Sequence, residues 1–146
     1  MKFLYTLFLV FLFNICFSQE NYYPGARRGF TRVNVNLPKN ANEKKYKVEF
    51  YLTINKEMED CHTAKMENKF QKKTYGSNSY YEASSDYQIL IYSNEKCGGK
   101  KMSKKVYNEP VTEKYQSKDS FVFYIPENMA VEYRLLKDES GLSKVN

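Results

Sequence analysis

Residues 46–55, YKVEFYLTIN, alternate in polarity over ten positions. Tyr46, Val48, Phe50, Leu52 and Ile54 share one side, and Lys47, Glu49, Tyr51, Thr53 and Asn55 share the other. Side chains repeat with a period of two only in an extended chain, so this stretch reads as a strand with one buried face. The alternation returns in Arg32–Leu37 and again in Ala130–Leu135. Phe121–Ile125 is different: it is β-rich without interruption, which predicts a strand buried on both faces. Pro126-Glu127-Asn128 follows as a turn, because proline pre-sets its backbone angle and asparagine tolerates turn geometry. Several short strands punctuated by turns predict an all-β fold, a barrel or a sandwich. No internal repeat or low-complexity linker interrupts the chain, and its 146 residues suit one domain.

The N-terminus follows another rule. After Met1-Lys2, the run FLYTLFLVFLFNICF is apolar apart from Thr6 and Asn14. It has the length of a secretory signal core, and Ser18 is a small residue suited to the position before cleavage. Residues 1–18 are therefore expected to be removed, leaving residues 19–146 as an exported domain with no membrane segment. Loss of Lys2 leaves 22 basic and 17 acidic side chains, a net charge of +5. The signs are interspersed, so the charge favours acidic partners only weakly and gives no nucleic-acid platform. Cys16 leaves with the signal. The even pair that remains, Cys61 and Cys97, reads as one disulfide in an exported chain. Such a bond closes a 36-residue separation, worth roughly 3–4 kcal/mol of loop entropy. The segment Glu57–Gln71 has mild helical character, but Asp60-Cys61 has to reach Cys97, so a strand followed by a loop is expected there. Tyr75–Tyr81, with Gly, Ser and Asn between aromatics, reads as a loop.

No enzyme constellation is visible. The single histidine, His62, adjoins a cysteine expected to be oxidised, and a Cys/His pair needs a free thiolate. One histidine and two paired cysteines form no zinc set, so neither a metal nor a cofactor is expected. Gly98-Gly99 is a turn and not a phosphate loop. Glu57, Glu59 and Asp60 stand among lysines and read as solvated surface. These exclusions point to a binding protein.

Scattered residues then form an ordered series. Tyr23-Pro24-Gly25-Ala26, Gly29, Arg32 and Leu37-Pro38 open it, followed by Lys47-Val48-Glu49 and Asp60-Cys61. Lys69, Lys73-Thr74, Tyr80 and Cys97 continue it. The end is densest, with Lys114-Tyr115-Gln116-Ser117-Lys118, Tyr124-Ile125-Pro126-Glu127-Asn128 and Val131-Glu132-Tyr133-Arg134. Over about residues 22–138 the chain resembles the ecotin-type inhibitors of serine peptidases. The resemblance implies an antiparallel β-barrel-like domain and a homodimer made by exchanging C-terminal strands, with Val131, Tyr133 and Leu135 in the exchanged arm. It implies a reactive loop ahead of the second cysteine, here Ile91, Tyr92, Ser93, Asn94, Glu95 and Lys96, offered to a peptidase of the trypsin/chymotrypsin fold. The residue three places before Cys97 is Asn94, with Glu95 across the scissile bond. A register moved to Lys96 would suit a trypsin-like target but would set the cut beside the cysteine. The resemblance also implies a second protease contact, from Lys114, Gln116 and Lys118 in one distal loop and Asn78 and Tyr80 beside it. The family commonly places Met where Asn94 stands, a large aromatic where Asn78 stands and a bulkier aromatic at Leu136. A periplasmic or secreted location is implied. The alternative is a non-inhibitory exported module that keeps the scaffold for another ligand.

Overall fold

The computed structural model describes residues 23–93 and 98–137. Among the described residues, ten strands carry the fold: β1 Phe30–Val35, β2 Tyr46–Glu59, β3 Thr63–Glu67, β4 Phe70–Tyr75, β5 Asn78–Ala83, β6 Gln88–Tyr92, β7 Lys101–Tyr107, β8 Val111–Lys114, β9 Phe121–Pro126 and β10 Ala130–Lys137. A short 3-10 turn, Glu43–Lys45, precedes β2. One sheet has the order β1-β9-β5-β4; a second has β10-β2-β7, with β8 also on β2; β3 and β6 form a separate two-stranded ribbon.

The all-β expectation holds, and the inner face of β2 does what its alternation dictates. Val48, Phe50 and Leu52 are fully buried. The Phe50 ring meets Phe121 at 4.7 Å and Phe123 at 4.9 Å, which joins the two larger sheets face to face. β9 is buried at all six positions, as its uninterrupted apolar sequence requires. It pairs antiparallel with β1 on one edge and parallel with β5 on the other. The sheets are thus not wholly antiparallel.

Two segments differ from their sequence reading. The loop expected within 57–71 is instead strand: β2 runs to Glu59, a turn crosses 60–62, and β3 and β4 follow. Likewise 75–81 is no open loop. Tyr75 pairs with Asn78 across Gly76-Ser77, a two-residue hairpin between β4 and β5. Gly76 has φ +58 there, the positive value that the first central position of a II′ hairpin turn demands. The polarity that suggested a loop belongs to the hairpin turn and to the start of β5; the neighbouring β4 is the edge strand, with only Phe70 half-buried.

The outer ladder of β2 has a built-in break. Tyr107 pairs with Thr53, and Val111 with Phe50: three residues between these pairs on one strand answer two on the other. The extra residue falls at Asn108-Glu109-Pro110, where proline has no N–H to give the ladder. Asn108 fills the break. Its backbone N–H donates to the Leu52 carbonyl at 3.1 Å, and its Oδ1 accepts from the Leu52 N–H at 2.7 Å. Its Nδ2 donates to the Asn68 carbonyl at 3.2 Å. Asn68 in turn brackets Ser84, accepting from its N–H and donating to its carbonyl. This buried amide relay links β2 to the connections after β3, β5 and β7.

Candidate functional site: a loop root and a distal cleft

β6 ends at Tyr92, so the first two residues expected in the reactive loop, Ile91 and Tyr92, are strand instead. Ile91 and Tyr92 are half-exposed, at 46% and 50%, so their side chains do not anchor this flank in the core. The ribbon ladder anchors it: Tyr92 is in register with Thr63, and Ile91 with Ala64. β3 is held in turn by Met66, which is fully buried. Ser93 is exposed just beyond β6. Asn94, Glu95, Lys96 and Cys97 lie outside the described residues, as does the expected signal segment 1–18.

On the far flank Gly99 takes φ +79, a backbone region that strains residues with a Cβ. Lys100 follows, and its carbonyl accepts from the Asp60 N–H at 3.0 Å. Lys101 pairs with Glu59. Both flanks therefore converge on one turn, residues 59–62, which is closed by the His62 N–H donating to the Glu59 carbonyl at 3.0 Å. Cys61 sits at its tip and is disulfide-bonded. Glu59, Cys61 and His62 offer atoms within 4.8 Å of one another, but a sulfur in a disulfide supplies no thiolate ligand.

A second feature lies in an open cleft of about 440 Å³. Its walls bring together Asn78, Lys114 and Gln116, together with Lys72, Tyr81 and Glu113. Glu113 on β8 accepts from Lys72 Nζ at 2.8 Å and from the Tyr81 hydroxyl, so the two large sheets are clamped at the cleft floor. Burial, reinforced by the Glu113 carboxylate, pushes the Tyr81 phenol up to about 12, so it stays a donor throughout the physiological range. The distal loop after β8 alternates its contacts. Tyr115 is buried with its hydroxyl donating to the Pro38 carbonyl, while Ser117 donates its N–H to Glu43 at 3.2 Å. Gln116, between these pins, and Lys118, just beyond them, are left exposed. Lys118 is not among the cleft-lining residues. Tyr80 lies on the opposite face of β5 from Tyr81, with its ring against Tyr124 at 5.1 Å. The structure thus gathers three of the five expected distal residues.

The sequence model of the ecotin family, described as "Ecotin", matches residues 19–138. The chain belongs to the ecotin family. Its members are protease inhibitors and not enzymes. The chain is also similar to a protein named Ecotin from Serratia proteamaculans (strain 568), with 29% identity over 133 residues, covering 84% of this chain and 74% of that protein. Among the described residues, no helix is long and apolar enough to cross a membrane.

In this ecotin-family chain, β10 lies antiparallel on β2. Val131, Tyr133 and Leu135 stand opposite Leu52, Phe50 and Val48. Tyr133 and Leu135 nevertheless remain 42% and 37% exposed, which leaves apolar surface on the arm. Arg134 ties the arm to β2 through Glu49, at 2.7 Å. The Tyr51 hydroxyl donates to the same carboxylate at 2.5 Å. These bonds, that of Tyr51 foremost and those of Arg134 after it, hold the Glu49 carboxyl below its ordinary value. Sequence reasoning did not find Asn68, Lys104, Asn108 or the Glu113 clamp. Only the Asn-Glu-Pro punctuation at 108–110 hinted at one of them.

Proposed function

We propose that this chain is an exported inhibitor of serine endopeptidases of the trypsin fold that offers the segment around Asn94-Glu95 as a substrate-like loop. Family membership supplies the class of activity. The observation that carries the loop assignment is the convergence of both flanks, Tyr92 through Thr63 and Lys100 through Asp60, on a single turn. A loop held at both ends is ordered before it meets the protease, so association does not have to bear the ordering cost. A Cys61–Cys97 disulfide would close the far flank covalently, and the oxidised state of Cys61 supports this pairing. After cleavage the two new ends would stay in place and favour resealing or slow release.

In this reading residues 1–18 direct export to a periplasm or to the outside, and residues 19–146 form the inhibitor. Two chains pair by exchanging β10, using Val131, Tyr133 and Leu135. The partner subunit then brings its distal surface (Lys114, Gln116, Lys118, Asn78 and Tyr80) to the same protease, and the linked contacts raise avidity. A second reading, a non-inhibitory recognition module, draws support from the distal cleft, which one chain builds without the loop.

Titration of the oxidised mature protein against trypsin, chymotrypsin and elastase, beside an Asn94→Met variant, tests the proposal. Tight inhibition of at least one enzyme, with a changed target range in the variant, is expected. An intact dimer that inhibits none of them in either form would favour the module.

A further inference from the structure

Lys104 lies on β7 and points toward the turn at which both loop flanks converge. Its Nζ donates to the Asp60 carbonyl and, at 2.7 Å, to the His62 carbonyl. These two carbonyls bracket Cys61. The surroundings make the placement notable: Lys104 is directly opposite Lys56 in the β2–β7 register, a like-charged pair that a ladder disfavours. The ammonium finds its compensation in the carbonyl dipoles of the turn. A short turn leaves such carbonyls without ladder partners, and a charged donor satisfies them more strongly than a neutral one.

We infer that Lys104 is a positioning residue for the inhibitory loop, an inference that rests on the inhibitor reading above. Three contacts run through the clamped turn. The near flank enters through β3, whose first residue, Thr63, follows His62 and pairs with Tyr92. The far flank enters through the Asp60 N–H on the Lys100 carbonyl. The sulfur of Cys61 is the third. Lys104 bonds to the turn. It fixes the turn from which the loop hangs, and so acts on affinity through geometry alone. Because β7 is itself paired to β2 along its whole length, the clamp refers the loop position to the body of the protein. Lysine suits the role better than a fork-shaped guanidinium, since one compact ammonium directs separate N–H bonds to two carbonyls.

The test compares wild type, Lys104→Met and Lys104→Arg as oxidised full-length mature proteins. Amide hydrogen exchange is read at His62 and across β3 and β6, and at Phe50 and Phe123 as core references. Nicking of the loop by a non-cognate broad-specificity protease is read in parallel, with the inhibition constant for whichever serine protease wild type inhibits. Lys104→Met is expected to speed exchange at the turn and ribbon, and loop nicking, by about tenfold each, with the core amides unchanged. The inhibition constant should rise by about tenfold, the factor that corresponds to about 1.4 kcal/mol. Lys104→Arg should recover part of all three. Exchange and nicking equal to wild type in Lys104→Met would overturn the inference. So would loss of core protection together with the ribbon, which would make Lys104 a general structural residue. Wild type that inhibits no protease would count against the inhibitor reading alone, because exchange and nicking are measured without a cognate enzyme.

Discussion

The carboxamide of Asn108 takes the place that a backbone carbonyl would hold in an unbroken ladder. Leu52 gives it the N–H that β7 and β8 leave unmatched between them. Asn108→Ala strands that buried donor along with the Asn68 carbonyl, and should cost about 1–3 kcal/mol in urea unfolding. Asn108→Asp keeps the acceptor for Leu52 but sets a carboxylate oxygen against the Asn68 carbonyl, so it should rescue little. This relay could not be read from the sequence. The Asn-Glu-Pro triplet marks an interruption, but the partner of Asn108 lies 56 residues away, and no local pattern names it. The same limit hid Lys104, whose partners lie more than forty residues before it.

At the level of elements, β10 hangs on β2 through a ladder and through Arg134, Glu49 and Tyr51. The depressed Glu49 carboxyl gives this attachment a pH sign. A carboxylate favoured by the fold contributes stability above its ordinary value of 4.5, and that contribution disappears as the pH falls through the lower folded value. The difference in urea midpoint between wild type and Glu49→Gln should therefore shrink on titration from about pH 6 to about pH 3. If exchange of β10 makes the dimer, acid should also speed subunit exchange between labelled dimers, and Glu49→Gln should exchange fast at neutral pH. The strand character of β2, β9 and β10 was plain in their periodicity. That of β4 and β5 was not, because an edge strand has few apolar positions and the hairpin turn shares its residues with loops. Lys72 and Lys73 on that edge also blunt unwanted pairing with other chains.

Over the whole molecule, Phe50 is the contact that makes two sheets one core. Phe50→Ala should cost about 3–5 kcal/mol. It should lower a single unfolding transition seen alike by tyrosine fluorescence and far-ultraviolet dichroism, since both sheets share the one core that Phe50 fills. The pairings that close the core are distant in sequence: β1 with β9, and β2 with β10. Refolding of the oxidised chain should accordingly fall in the millisecond-to-second range, measured by stopped flow. The all-β class was legible from alternation alone, whereas the parallel β5–β9 pair was not, because periodicity reports faces and not neighbours. One consequence concerns how such a protein changes over generations. Ile91 and Tyr92 are tethered by backbone pairing while their side chains stay largely in solvent. Mutations at these positions spare the core, and so descendants can rewrite this short stretch while the rest of the gene stays under its older constraints.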